Sequence, residues 1–128
     1  MILFDSDILI DLLRDHPPAL EWFNSLPDNE DLIVSGFVVL ELIQGCKNRY
    51  DLDKVQKTLA HFTIFWLLPE ECNKALELYS KYKLSHNVGL IDVLIGRTAL
   101  TLNMPLYTFN QKHYSIIPNL ETIQPYKK

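Results

Sequence analysis

The feature that most constrains the fold is a set of very short apolar runs, each followed by polar residues. Met1–Phe4 contains no polar side chain, and Asp5 follows it directly. An apolar run without alternation indicates a strand that is buried on both faces, as in a parallel sheet. Four further short runs are interpreted as strands: Leu32–Val34, Ile64–Leu67, Leu106–Thr108 and Glu121–Ile123.

Segments with apolar residues at helical spacing separate these strands. Ser6 or Asp7 is predicted to cap the first helix, because short polar side chains accept hydrogen bonds from free N–H groups. Strands that alternate with helices indicate an α/β fold, a three-layer α/β/α sandwich with a central parallel sheet. We expect residues 1–128 to form a single domain. The other predicted helices start at Pro18, follow a cap at Ser35 to about Gly45, span Asp51–Phe62, start at Pro69 and span Gly89–Asn103.

The composition limits the function classes. A net charge of −4 argues against a protein that coats nucleic acid by bulk electrostatics, but it allows an enzyme whose acidic site works through cations. Cys46 and Cys72 have no zinc-ligand spacing and suggest no disulfide framework, so a reduced, cytoplasmic setting is expected. The apolar runs are too short to cross a membrane, and no signal peptide is visible.

Four polar groups stand out at or near the predicted strand ends. Asp5 follows the first strand, Asn110 follows a later one, and Glu41 and Asp92 are lone charges within apolar helical segments. In parallel folds, functional sites gather at the carboxyl ends of strands. Two like charges about 4 Å apart repel by roughly 4 kcal/mol at an effective dielectric of about 20. A divalent cation such as Mg²⁺, which prefers oxygen ligands, would remove this repulsion.

Taken singly, most of these acids also have a structural interpretation. Asp5 alone is as well explained as a helix cap, and Glu41 alone as a structural or surface charge. Asp7 is predicted to act as a cap or as a first-turn partner of the helix dipole. Asp11 lies four residues after Asp7 and three before Arg14, which predicts a solvated helix face without chemistry. A functional site is favoured because these polar groups occur together, at predicted strand ends and on apolar helices.

Four segments occur in an order that resembles a known family: "ILFDSDILIDLL", "SGFVVLELIQG", "GLIDVLIGRTAL" and "LYTFNQKHYSIIPNLE". Together they span nearly the whole chain and are similar to the PIN-domain nucleases, especially the VapC-type toxins of bacterial toxin–antitoxin pairs. The resemblance implies an α/β/α sandwich and endonuclease action on RNA that depends on Mg²⁺ or Mn²⁺. It further implies a small antitoxin partner and a homodimer.

The resemblance also assigns site residues. Asp5, Glu41 and Asp92 match the first three acidic positions, and Asn110 matches a fourth that is Asp in many members and Asn in others. Asp5 and Asp92 would hold the metal directly, while Glu41 and Asn110 would act directly or through water. Asp7 stands where Asn is common, and Asn110 lowers the negative charge available to a second metal.

Neighbouring residues are assigned supporting roles. Lys112 and His113, just past Asn110, are expected to meet a backbone phosphate of the RNA. Thr108 and Ser6 are expected to position water or to hold Asp5 by hydrogen bonds. Arg97 follows Asp92 by five residues, so it lies on another helix face and is either a phosphate contact or a surface charge.

Two other function classes remain open from the sequence. "ILFDSD" also resembles the haloacid dehalogenase-like phosphotransferases, in which the first Asp is a nucleophile, although "GLIDVLIG" does not supply the later acidic motif of that class. The second class is a non-catalytic RNA-binding module with the same fold. Cleavage of RNA that Asp5→Asn abolishes would separate a nuclease from such a module.

Overall fold

A computed structural model describes residues 1–128, and its five strands form one sheet in which every neighbouring pair is parallel. The strands are β1 (Ile2–Phe4), β2 (Leu32–Ser35), β3 (Thr63–Phe65), β4 (Leu106–Tyr107) and β5 (Thr122–Ile123). Their order across the sheet is β3-β2-β1-β4-β5. The predicted α/β fold with a central parallel sheet is therefore confirmed.

Seven helices flank the sheet, and six of them lie where helical spacing predicts them to within a few residues. They are α1 (Ser6–Leu13), α2 (Pro17–Asn24), α3 (Gly36–Gln44), α4 (Arg49–Leu59), α5 (Pro69–His86), α6 (Leu90–Leu102) and α7 (Gln111–Tyr114). The single-turn helix α7 was not predicted, because four residues are too few to form a periodic pattern. No helix is both long and apolar enough to cross a membrane.

The first strand occupies the centre of the sheet, which explains its unbroken apolar sequence. All three residues of β1 are buried, and β1 pairs with β2 on one side and with β4 on the other. Phe4 lies in an aromatic cluster, with its ring centroid 4.9 Å from that of Phe62 and 5.5 Å from that of Trp22. Twenty buried residues form the main core cluster.

Two predicted helix starts are confirmed and one is wrong. The Ser35 hydroxyl accepts a hydrogen bond from the Phe37 backbone N–H at 3.1 Å and caps α3, and Pro69 is the first residue of α5. The cap of α1, however, is neither Ser6 nor Asp7. It is Asp5, whose carboxylate accepts the Ser6 N–H. The helix therefore begins at Ser6, one or two residues earlier than those caps predict, because β1 ends at Phe4 and leaves no connecting loop.

Asp11 is not on a solvated face, and that prediction is wrong. The residue is only 9 % exposed. Its carboxylate accepts a hydrogen bond from the Tyr126 hydroxyl at 2.7 Å and lies 3.2 Å from the Lys128 ammonium. Both partners are more than 110 positions away in the chain, so the local spacing to Asp7 and Arg14 carried no information about them.

The topology brings the polar residues of interest to one edge of the sheet. Asp5, Ser35 and Thr108 each lie at the carboxyl end of a strand, and parallel strands present these ends together. Helix α6 precedes β4 and therefore begins at the same edge, where Asp92 lies in its first turn. This arrangement follows from the common direction of the strands.

Candidate active site

Asp5 is the most deeply buried carboxylate at this edge. It is 2 % exposed, its Oδ1 accepts the Ser6 N–H at 2.7 Å, and its Oδ2 accepts the Thr108 hydroxyl at 2.8 Å. Burial and the charge of Asp7 raise the pKa of Asp5 to about 6, against the opposing effect of these hydrogen bonds. Thr108 holds Asp5 as expected, whereas Ser6 does so through its backbone N–H.

Asp7 connects α1 to the segment that follows β4. Its Oδ2 accepts the Phe109 backbone N–H at 2.8 Å and its Oδ1 accepts the Ile8 N–H at 2.8 Å. Burial raises the pKa of its carboxyl above the usual value, and these hydrogen bonds lower it. Asp7 lies in the first turn of α1, where a dipole partner was predicted, but it also fixes the backbone beside Asn110.

Glu41 lies in the middle of α3 and is half-buried. Its Oε1 is buried and has no hydrogen-bond partner. Burial raises the pKa of Glu41 above the usual value, and the charges of Asp5 and Asp92 raise it further. Glu41 therefore lies within electrostatic range of both Asp5 and Asp92, although the three residues come from separate parts of the chain.

Asp92 faces this region from the start of α6, with 35 % of its side chain exposed. Its Oδ2 lies 3.8 Å from Nδ1 of His113, which makes an ion pair when the imidazole is protonated. A Cβ atom at Gly89 would lie 3.2 Å from the same Oδ2. Glycine at the cap of α6 therefore leaves room for the Asp92 carboxylate.

The predicted residues after β4 are exposed. The Asn110 backbone N–H donates to Oγ1 of Thr108 at 3.0 Å, and the Asn110 side chain does not cap α7 although it stands at its start. Lys112 is exposed and forms no ion pair within 4.0 Å. An amide and a cation thus stand unengaged beside the acidic residues.

Tyr114 is a site residue that the sequence did not suggest. It is 1 % exposed and its hydroxyl has no hydrogen-bond partner of acceptable geometry. The hydroxyl is nevertheless near enough to Asp5 to help lower the pKa of that carboxyl, while burial and the charges of Asp5 and Asp92 raise the pKa of Tyr114 itself. Only the unpredicted helix α7 aims it inwards.

Arg97 belongs to a different contact. Its Nε donates to Oε2 of Glu71 at 2.8 Å, and the Thr101 hydroxyl donates to the same oxygen at 2.8 Å. The Arg97 side chain is 22 % exposed. It links α6 to α5, so neither a free surface charge nor a free phosphate contact describes it.

The donor set fits a hard divalent cation. Its side chains offer carboxylate and amide oxygens. One Glu41 oxygen is buried without a hydrogen-bond partner, and the raised pKa of Asp5 shows that its surroundings disfavour an unbalanced negative charge. No three His, Cys, Asp or Glu side chains lie close enough to ligate one ion together. Mg²⁺ commonly takes one or two protein carboxylates and completes its shell with water and phosphate.

A groove of about 510 Å³ opens beside these acids, between α1, α3 and α4. Ser6 and Glu41 line its end at the site, and Leu13, Leu42 and Val55 are among the apolar residues that line it. Arg14 and Lys54 add two cations to its wall. The site is therefore continuous with a partly apolar surface depression.

Comparison with known proteins identifies relatives over almost the entire chain. The family model described as the PIN domain matches residues 2–117. The chain is 33% identical to Ribonuclease VapC10 of Mycobacterium tuberculosis over 98% of this chain and 92% of that protein. It is 30% identical to Ribonuclease VapC of Rickettsia bellii over 95% of this chain and 94% of that protein.

Solved structures of toxin–antitoxin complexes have a similar fold. The chain matches VapBC-1 from nontypeable Haemophilus influenzae with a TM-score of 0.78 and 25% identity, over 96% of this chain and 97% of that one. It matches a toxin–antitoxin complex from Klebsiella pneumoniae with a TM-score of 0.76 and 26% identity, over 100% of both chains.

Proposed function

The chain belongs to the PIN domain family, and from this membership we propose that it is a metal-dependent endoribonuclease, the toxin of a toxin–antitoxin pair. The names of its VapC relatives, which match over nearly their full length, support ribonuclease action. The observation that carries the proposal is the position of Glu41, whose buried Oε1 has no hydrogen-bond partner and whose pKa the charges of Asp5 and Asp92 raise, because a cation between these carboxylates would relieve that repulsion.

We propose Mg²⁺ as the cation, with Mn²⁺ as a substitute. Asp5 and Asp92 would hold it directly, and Glu41 and Asn110 would contribute directly or through water. When bound, such an ion activates water and offsets the negative charge that builds up on a phosphodiester during hydrolysis.

The protein's own residues supply position and charge. Thr108 fixes the orientation of Asp5 by a hydrogen bond to Oδ2, and Asp7 fixes the backbone that leads to Asn110. Lys112 and His113 are proposed to bind an RNA phosphate, because both are exposed beside the acidic residues. The positive charge of Lys112 would hold the polyanion against an otherwise acidic surface.

We propose a small antitoxin as the regulatory partner, since the structural neighbours from Haemophilus influenzae and Klebsiella pneumoniae are toxin–antitoxin complexes. The groove beside Glu41 suits this role. An antitoxin segment with apolar side chains seated there would cover Leu13 and Leu42 and would block access to the acids. The same segment would have to leave before RNA is cut.

A homodimer is proposed from exposed apolar side chains on α3 and after β3. Leu40 is 54 % exposed, Trp66 is 52 % exposed and Leu68 is 69 % exposed. Exposed apolar groups in this number are typical of interaction surfaces. Sedimentation of the purified chain should give a dimer that Leu40→Glu dissociates, whereas a monomeric wild type would contradict the proposal.

An RNA cleavage assay tests the proposed activity. The purified chain should cut RNA with Mg²⁺ or Mn²⁺, and chelation by EDTA or the change Asp5→Asn should abolish cutting. Asp53→Asn, a surface carboxylate of α4 that is 62 % exposed, is the matched control and should retain activity. Wild type that binds RNA but never cleaves it would favour the non-catalytic module instead.

Expression in cells tests the toxin role. Without an antitoxin the wild type should arrest growth and Asp92→Ala should not. If both cultures grow equally well, the toxin proposal fails. The comparisons do not favour the dehalogenase-like alternative, which would instead require hydrolysis of a small phosphomonoester.

A further inference from the structure

The end of the chain folds back onto α1. The Tyr126 hydroxyl donates to Oδ2 of Asp11 at 2.7 Å, and Nζ of Lys128 lies 3.2 Å from the same oxygen. The PIN domain match ends at residue 117, and Tyr126 and Lys128 follow it. We call Tyr126 and Lys128 the C-terminal clamp.

Both clamp residues contact the ring of Phe109. The ring centroids of Tyr126 and Phe109 are 4.8 Å apart in an edge-to-face arrangement, and Nζ of Lys128 lies 4.5 Å from the Phe109 ring centroid. Both contacts are of attractive kinds, an aromatic pair and a cation over a ring face. The Asp11 carboxylate fixes both clamp residues, so Phe109 is held from the side of α1.

Phe109 stands between two residues of the candidate site. On one side, Thr108 donates to Asp5, and on the other, the Asn110 N–H donates back to Thr108 at 3.0 Å. The backbone N–H of Phe109 itself donates to Asp7 at 2.8 Å. The packing of the Phe109 ring therefore anchors the backbone segment that also carries Thr108 and Asn110.

We propose that the C-terminal clamp positions Thr108 and Asn110 for catalysis, with Tyr126 and Lys128 as positioning residues that do not touch the substrate. This inference rests on the proposed ribonuclease function. Without the clamp, the three residues between β4 and α7 would keep their hydrogen bonds to Asp5, to Asp7 and to the Ile123 carbonyl, but would lose the contacts of Tyr126 and Lys128 with the Phe109 ring. Small displacements of this kind lower rates more than they lower stability.

The test compares Tyr126→Ala with Tyr126→Phe, which keeps the ring on Phe109 but loses the hydroxyl. Tyr126→Ala should lower kcat about tenfold and raise the Mg²⁺ concentration for half-maximal activity, with KM for RNA nearly unchanged. Tyr126→Phe should recover most of the lost rate. Tyr50→Ala, an exposed tyrosine of α4, is the control and should behave as wild type.

Amide hydrogen exchange in the metal-free protein supplies a readout independent of activity. In Tyr126→Ala, exchange at the Phe109 and Asn110 N–H groups should become faster, while the Val34 N–H in β2 stays protected. Unchanged exchange at both positions, or an unchanged kcat, overturns the clamp. If the wild type cleaves no RNA, the proposed function fails, and the exchange result alone decides whether the clamp orders this segment.

Discussion

The hydroxyl of Thr108 donates a hydrogen bond of 2.8 Å to Oδ2 of Asp5, across 103 positions of the chain. Both residues are buried, and they follow the neighbouring parallel strands β4 and β1. The same oxygen of Thr108 accepts the Asn110 N–H. The Thr108 side chain thus links Asp5, the first acidic position, to Asn110, the fourth position that the resemblance assigns.

Thr108→Val should remove this link without changing the volume of the side chain. Leaving Asp5 Oδ2 and the Asn110 N–H without their partner should cost about 1–3 kcal/mol of stability and lower RNA cleavage about tenfold. Thermal unfolding and a cleavage assay measure the two effects.

Thr98→Val is the matched control for that change. Thr98 is equally buried, and its hydroxyl donates only to the Leu94 carbonyl of its own helix. Thr98→Val should therefore change the rate of RNA cleavage by no more than about twofold. If Thr108→Val cleaves as fast as Thr98→Val, the hydrogen bond to Asp5 does not matter for activity.

The raised pKa of Asp5 predicts a pH-dependent stability in metal-free protein. The folded state holds the proton up to a pKa of about 6, above the usual value of 3.8, so ionisation opposes folding as the pH rises through this window. Relative to wild type, Asp5→Asn should gain up to about 3 kcal/mol in free energy of unfolding between pH 4 and pH 7.5.

Urea unfolding in EDTA at the two pH values measures this difference. Asp53→Asn, a surface change, should leave the difference between the two pH values as in wild type. A stability difference between Asp5→Asn and wild type that does not vary with pH would mean that the Asp5 carboxyl is not strained in the folded protein.

Lys112→Ala should weaken RNA binding rather than chemistry. Because Lys112 is an unpaired, exposed cation, its loss should raise KM about three- to tenfold with little change in kcat. The slope of log KM against log salt concentration should fall by about 0.7, the value of one contact with single-stranded phosphate. Lys57→Ala is the control, because Lys57 lies in the last turn of α4, just before β3 starts, and therefore towards the opposite edge of the sheet. Equal effects of Lys57→Ala and Lys112→Ala would contradict a local phosphate contact.

Much of the fold follows from local sequence because the elements carry their own signals. The apolar run Ile2–Phe4 predicts a central buried strand, and Ser35 and Pro69 predict the starts of two helices. The α4 boundaries were less well predicted, since Asn48 caps it and the helix begins two residues before Asp51. The boundaries of such surface helices depend on a single cap more than on periodicity.

The parts of the site that the sequence missed depend on long-range contacts. Asp11 was assigned to solvent because its helical neighbours are polar, yet its partners are Tyr126 and Lys128. Tyr114 is aimed at Asp5 by a helix of one turn, which leaves no pattern to recognise. The only sequence signal for Tyr114 is that it ends a short polar segment directly after β4.

Asp5, directly after β1, and Asp92, in the first turn of α6, are proposed to hold one divalent cation together. This shared binding is tested by calorimetric titration of Mn²⁺ into the wild-type chain and into three variants. The variants are Asp5→Asn, Asp92→Asn and the surface control Asp53→Asn. If the two carboxylates share the ion, Asp5→Asn and Asp92→Asn should each lose at least about tenfold in affinity, while Asp53→Asn should bind as wild type does. Wild-type affinity in both Asp5→Asn and Asp92→Asn would contradict it.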